Sequence, residues 1–414
     1  MLKRILVVLI IFISGISLAQ EGTTSPYSFY GIGEIKFKGT AENRAMGGIG
    51  VLTDSIHINL QNPAGLADLK LINYSVGASH RYLTLDTDAE KQRTSTTSLD
   101  YIAIGIPMGK FGASFGLIPF TSVGYQIDSS TEGTTTQFTG TGGLNRAFLS
   151  LGYKVTPKLS VGVETSYNFG NIENTSFNHV LDEFQYGTKI VNKSDILGFS
   201  FKFGAFYKTM VSEKLELTTS ATFTPENDFV IENFKQVSSV IRNDLGIDLT
   251  AYEFEIIVED TNLKYPSQFT IGAGIGKSKS WFVGAEYTGI KTSNFANSAF
   301  SIADVTYTDA SNFGIGGYYI PNYNSIGNYW SRVVYRAGIR YEETGINIRG
   351  EDINEFGISF GVGLPVGRIF SNLNLGFELG QRGTKNQGLV KENFFNTIIS
   401  LSLNDRWFEK RYYD

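Results

Sequence analysis

Two runs of the pattern G-x-S-x-G, Gly112-Ala113-Ser114-Phe115-Gly116 and Gly357-Ile358-Ser359-Phe360-Gly361, each offer the serine of a hydrolase nucleophile elbow. His57, His80 and His179 are the chain's three histidines, so the residue types of a serine–histidine–acid hydrolase are present. An elbow needs a sharp turn from strand into helix. Both runs instead lie in alternating, strand-like segments, where glycine and serine share one face and aromatics the other. Gly276-Lys277-Ser278 ends like a phosphate loop, but Ile271 stands where that motif requires its first glycine, and a hairpin turn accounts for it. The histidines have no ligand spacing, and neither Asp182-Glu183 nor Glu259-Asp260 has the spacing of a calcium loop. No enzyme activity, metal or cofactor is expected.

The elements that carry these residues are unusual in composition. The 414 residues contain no Cys, 46 Gly, 31 Phe and 22 Tyr, and only 18% are charged. Absent cysteine excludes disulfides, thiolate metal sites and a lipid-modified N-terminal cysteine. A net charge of -5 without a basic run excludes a nucleic-acid footprint. Residues 1–19 read as a secretory signal peptide: Lys3 and Arg4 lead an apolar run, Ile5 to Ile13, and Ser17-Leu18-Ala19 forms a small-residue cleavage site. No later stretch approaches the ~18 consecutive apolar residues of a spanning helix. A membrane role therefore requires a closed barrel.

The dominant period is two. Val161, Val163, Thr165, Tyr167 and Phe169 alternate with Gly162, Glu164, Ser166, Asn168 and Gly170. Leu373, Leu375, Phe377 and Leu379 alternate likewise with Asn374, Gly376, Glu378 and Gly380. Fourteen such segments run from 71–84 to 393–406, each of roughly 10 to 15 residues, which suits a tilted membrane strand. An even number is what a bacterial outer-membrane barrel requires. Short turns, expected in the periplasm with both termini, alternate with long polar loops at 84–96, 172–194, 230–262 and 382–392, expected outside the cell. Tyr153, Phe169, Tyr207, Trp281, Tyr287, Tyr341 and Trp407 mark aromatic girdles. Alternation turns Glu164, Lys202, Glu286, Arg336, Arg340 and Glu378 into the lumen, because an Arg or Lys facing lipid at mid-depth costs about 2–4 kcal/mol. Within 230–262, the spacing of Phe234, Val237, Val240, Ile241, Leu245 and Leu249 predicts a short amphipathic helix.

Ahead of the strands stands Ala45 to Leu66, with glycines at Gly47, Gly48 and Gly50 and the element Asn62-Pro63-Ala64-Gly65. Proline forces its predecessor out of the helical region, and glycine lets backbone approach backbone. This stretch, followed by glycine-alternating strands, resembles the FadL/TodX family of outer-membrane transport proteins. Phe203-Gly204-Ala205-Phe206-Tyr207 and Tyr265-Pro266-Ser267-Gln268-Phe269 look like that family's middle barrel, and Leu403-Asn404-Asp405-Arg406-Trp407-Phe408 is similar to the ending of PorV-like barrels of Bacteroidota.

The expectation is an all-β, fourteen-stranded antiparallel transmembrane barrel at 71–414 with an N-terminal lumenal hatch at 20–70, in the bacterial outer membrane among its lipids. The resemblance implies that Gly47, Gly48, Gly50, Asn62, Pro63, Ala64 and Gly65 form the hatch, and that a hydrophobic, fatty-acid-like small molecule enters passively. A second expectation, also from resemblance, is a non-transporting accessory subunit of an outer-membrane secretion or assembly complex, partnered by other outer-membrane proteins or surface lipoproteins. A lumen filled by paired charges would favour the second.

Overall fold

The computed structural model describes residues 22–131, 134–180, 186–242, 248–294, 304–366 and 371–406. The expected signal peptide and the Trp407-Phe408 ending lie outside them.

A two-residue strand, β1 (Glu34–Ile35), precedes the wall, and a short helix follows it, α1 (Ala41–Arg44). The wall begins with β2 (Ile72–Asp86), β3 (Lys91–Met108), β4 (Phe111–Pro119), β5 (Thr121–Thr131), β6 (Thr134–Lys154), β7 (Leu159–Val180) and β8 (Tyr186–Met210). It continues with β9 (Glu216–Thr224), β10 (Asn227–Arg242), β11 (Asp248–Ile257), β12 (Thr261–Tyr265), β13 (Gln268–Lys277) and β14 (Trp281–Ile290). The last strands are β15 (Val305–Tyr307), β16 (Ala310–Tyr319), β17 (Val334–Ile348), β18 (Glu351–Val366), β19 (Ser371–Arg382) and β20 (Lys391–Asp405). Every pairing is antiparallel, and β20 returns to β2 with Asp405 opposite Ile72, closing the barrel.

Several passes are broken. Pro119 separates β4 from β5 and Pro225 separates β9 from β10, since a proline cannot donate to a central ladder. Pro266 likewise divides β12 from β13. With these pieces joined, and with β11 running on into β12 along β10 and β15 into β16 along β17, the described residues make fourteen passes, the number read from the alternation.

The faces also follow the alternation. Val161 and Val163 on β7, with Leu149, Leu151, Phe201 and Phe203 on the strands beside them, face outward. Ser150, Glu164, Ser166, Asn168 and Ser200 are buried on the lumenal side.

Three of the four expected long loops are strand. β2 and β3 run on to Asp86 and Lys91, β7 and β8 to Val180 and Tyr186, and β10 and β11 fill much of 230–262. Among the described residues the stretch expected as a helix is strand: Val230 to Ile241 pair in register with Leu197 to Tyr186 of β8, and Leu245 lies outside the described residues. The open edge of β8 offers a backbone ladder that the β-branched Val237, Val240 and Ile241 fit better than a free-standing helix.

The outward assignment is testable on β7. Val163→Arg, on the lipid face beside Leu151 and Phe203, is expected to cost about 2–4 kcal/mol of barrel stability. Urea titration of the barrel folded into lipid vesicles, read by heat-modifiable gel mobility, measures the loss.

Candidate functional site

The chemistry-bearing side chains gather where the N-terminal segment meets the inward face of the wall. Ser25 caps the turn Pro26–Phe29, and its Oγ donates to Glu392 of β20 at 2.5 Å. β1 then pairs with β5 through Ile35–Thr121 and Glu34–Ser122. Thr40 and Asn43 form a capping box on α1, and the chain passes through Gly47 and Gly48, both with positive φ (70° and 81°). Asn62 caps the turn Pro63–Asp68, its Oδ1 accepting from Ala64 N at 3.0 Å and its Nδ2 donating to Ala205 O at 3.1 Å.

Two rows of wall glycines seat this backbone. Gly112, Gly152, Gly162 and Gly204 stand opposite one another in register across β4, β6, β7 and β8. Pro63 to Leu66 lie directly on them: a Cβ on Gly162 would sit 2.4 Å from Ala64 N, and one on Gly112 would sit 2.0 Å from Leu66 O. The second row, Gly316 and Gly338, faces Met46 and Gly47, with a Cβ on Gly338 falling 2.2 Å from Gly47 N. Gly47 N donates to Ser359 Oγ at 2.9 Å. The second G-x-S-x-G serine is therefore an acceptor for the N-terminal segment, and Ser114 lies buried within β4. Neither stands at a turn into a helix.

Charge closes the interface. Glu378, 1% exposed, accepts from Arg340 Nε at 2.6 Å, Arg44 Nε at 3.0 Å and Asn396 Nδ2 at 2.8 Å. Glu355 takes one guanidinium contact from Arg340 and another from Arg382. Arg382 also meets Glu34 at 3.1 Å, and Arg81 meets Glu34 at 2.5 Å. Burial pushes the Glu34 carboxyl up, but Arg81, Arg382, Lys36 and the Thr23 hydroxyl outweigh it and hold it well below the usual range. Lys38 pairs with Glu164, which also accepts from Ser150 and Ser166. Asp68 is held between Lys154 at 2.5 Å and Lys208 at 2.8 Å.

All six lumenal charges expected from alternation lie in the interior, but they do not form one cluster. Arg340 and Glu378 bond directly. Lys202 stands opposite Glu164 and reaches Gln61 O at 3.4 Å. Glu286 accepts from Gly50 N at 3.1 Å, and Arg336 donates to Asn374, which in turn donates to Glu42. Sequence reading passed over Arg44, Glu34, Arg81, Glu355 and Arg382, which complete the network. For Glu355 the signal was present, since it shares parity with Gly357 and Ser359.

His57, one of the three histidines without ligand spacing, is held by a neighbouring acid. Its Nδ1 lies 2.6 Å from Asp54 Oδ2, while Asp54 Oδ1 accepts from the Ile56 and His57 amides at 2.9 and 2.8 Å. On its other side Nε2 lies 3.2 Å from Asn372 Nδ2 and 3.8 Å from Glu42 Oε1. Burial pushes the Asp54 carboxyl up, but the imidazolium and those amides prevail and bring it down to about 2. Burial lowers the His57 value, yet Asp54 and then Glu42 outweigh it and leave it raised.

The wall is incompletely laddered beside β1. β3 pairs with β4 only over Ile102–Met108, and above that level β1 occupies the edge of β5 at Thr121–Ser122. Inward of this gap lies a lumenal cavity of about 340 Å³, lined also by Thr222 of β9, Glu286 of β14 and Asn312 of β16. Ile35 and Leu99 stand exposed at it, but Lys36, Arg44, Glu164 and Lys202 also line it.

The family described as BamG matches residues 1–414. Among solved structures, the Ralstonia pickettii toluene transporter TbuX is similar at 17% identity, over 89% of this chain and 99% of that one, with a TM-score of 0.61. The P. putida toluene transporter TodX is similar at 15% identity, over 90% and 100% of the two chains, with a TM-score of 0.60. A Pseudomonas aeruginosa FadL homologue gives 11% identity, 89% and 98% coverage, and a TM-score of 0.59. The fold is thus that of the FadL-like outer-membrane barrels. No protein of curated function matches the sequence.

Two outcomes follow. Glu378→Leu removes the nearest acceptor of Arg44 and one of those of Arg340, at an expected cost of about 3–5 kcal/mol. Faster tryptic cleavage after Arg44, with the wall still protected, reads the release of the N-terminal segment.

The second concerns pH. A raised His57 value contributes stability that is full below its unfolded value of about 6.5 and is lost as pH rises through the folded one. The lowered Asp54 value contributes above about pH 4 and is lost as pH falls toward 2. The pair is therefore strongest between about pH 4 and 6.5. NMR titration of the His57 ring is expected to give a midpoint above that of free histidine, brought down by Asp54→Asn.

Proposed function

The chain belongs to the BamG family, and on that premise we propose that it is a non-transporting accessory subunit, a rigid scaffold within an outer-membrane protein secretion or assembly complex. The observation that supports this most is the pairing of charged residues across the lumen, from Glu378 with Arg340 and Arg44 to Glu164 with Lys38. A hydrophobic ligand gains by leaving water for an apolar surface. Beside the bared carboxylates and ammonium groups of this lumen it gains little, and breaking a buried pair to admit it is costly.

In this reading the segment from Gly22 to Leu71 is a fixed plug. Gly47, Gly48, Gly50 and Asn62 to Gly65 are its seating points, and Glu164, Lys202, Glu286, Arg336, Arg340 and Glu378 are the wall side chains that hold it. The short turns and both termini face the periplasm, and outer-membrane lipid surrounds the apolar wall. The partners are other outer-membrane proteins or surface lipoproteins.

Passive uptake of a hydrophobic small molecule is the second reading. The gap between β3 and β5, with Ile35 and Leu99 exposed at it, favours that one. The toluene transporters with which the chain shares its fold are the precedent.

Mild detergent extraction of the tagged chain from its native outer membrane separates the two. Stoichiometric protein partners, together with no acceleration of toluene or fatty-acid entry into vesicles containing the barrel, are expected. A lone barrel carrying co-purified hydrophobic ligand would establish uptake instead.

A further inference from the structure

β10 and β11 continue the wall well beyond the ends of β14 and β16, on the side opposite the short turns. β10 is held on one edge by β8 and on the other by β11. Among the described residues β11 pairs with β10 alone, and none of the described strands lies along its second edge. Nine consecutive residues, Leu249 to Ile257, are exposed. Tyr252 is 70% exposed, Phe254 65% and Ile257 98%.

An open, apolar edge of this length pairs readily with another extended chain. Natural edges are usually shortened, bulged or marked with lysine; β11 bulges at Ala251, where its register with β10 shifts, but from Tyr252 to Ile257 it runs regularly and carries no lysine. It carries Glu253 and Glu255 on one face, with Tyr252, Phe254 and Ile256 on the other. Their partners across the ladder are Ser238 and Gln236, and among the described residues neither glutamate forms an ion pair. Glu259 and Asp260 follow directly and add to the negative field.

This pattern selects an occupant. A second copy of β11 laid antiparallel along the first would gather four glutamates on one face, and like charges set opposite one another destabilise a sheet. A strand with Lys or Arg at alternate positions and apolar residues between them would pair with both faces at once. We propose that the free edge of β11 is a docking site that takes such a cationic, alternating segment of a second protein as an added strand. The inference deepens the accessory reading by naming the chemistry of the partner.

The test uses the full-length barrel in detergent and a labelled ten-residue peptide alternating Lys and Val. Controls are a peptide alternating Glu and Val, and a block peptide with five Lys followed by five Val. Binding is read by fluorescence anisotropy and located by photocrosslinking. The alternating Lys–Val peptide is expected to bind at least tenfold tighter than the block peptide and to crosslink within Asp248–Ile257. Glu253→Lys with Glu255→Lys should lose at least tenfold and gain affinity for the Glu–Val peptide. Both side chains are exposed, and gel mobility verifies that the barrel has folded.

Equal binding of the block peptide, or unchanged binding by the double variant, overturns the proposal. If those results come while partners still co-extract from the native membrane, this edge is wrong and the accessory reading stands. If the peptide binds as expected and no partner co-extracts, the edge stands and the accessory reading falls.

Discussion

Charge compensation among the buried side chains of the lumen is the constraint on which the rest of this barrel depends. Alternation forces polar side chains inward because the outer face meets lipid. Once inside, a carboxylate such as Glu378 or Glu355, each almost without exposure, must find a cation or give up its charge. Arginine suits that task, since its fixed fork of donors lets one guanidinium serve several acceptors: Arg340 reaches Glu378, Glu355 and Glu342. The wall alone does not complete the pairing. Arg44 and Lys38 come from the N-terminal segment, as does Glu34, which lies between Arg81 and Arg382. Each part therefore supplies charges that the other needs.

Those ion pairs require close approach, and the glycine rows permit it. Gly112, Gly152, Gly162 and Gly204 form a bare strip across four strands on which the Pro63–Leu66 backbone rests. The hydrogen bonds of Asn62 to Ala205 and Ala221 form because no Cβ stands between the chain and the wall at Gly204. Around the strip, Ile58, Leu60, Leu66 and Leu69 pack on Tyr101, Ile118 and Phe148. Backbone contact, apolar packing and paired charge thus act on the same segment, so that moving it would break all three together.

Much of the wall was legible in the sequence because a period of two survives any error of a few residues in strand ends. The number of passes, the inward side of Arg340 and Glu378, and the structural character of Ser114 and Ser359 all follow from it. What was not legible depended on register between strands far apart in sequence. That Gly152 lies opposite both Gly112 and Gly162, or that Glu34 lies between Arg81 and Arg382, cannot be read from local pattern. The partners of His57 could not be named from sequence because they combine a local turn at Asp54 with Asn372, more than three hundred residues away. The expected helix in 230–262 failed for the same reason. Its spacing was judged locally, whereas the free edge of β8 decided the outcome.

The two ends of the molecule resolve unpaired backbone in opposite ways. In the lumen, β1 covers the part of the β5 edge at Thr121–Ser122 that β3 leaves, so the chain satisfies its own ladder there. At the far end of β10, β11 is left without a second neighbour among the described residues, although its apolar side chains would reward one. Paired glutamates on such an edge repel another copy of themselves and attract a strand of opposite charge, whereas lysines would invite the reverse. An edge protected against its own kind and open to a cationic strand differs from an edge that is simply blunted. That difference separates a surface shaped for a particular partner from one shaped to avoid partners altogether.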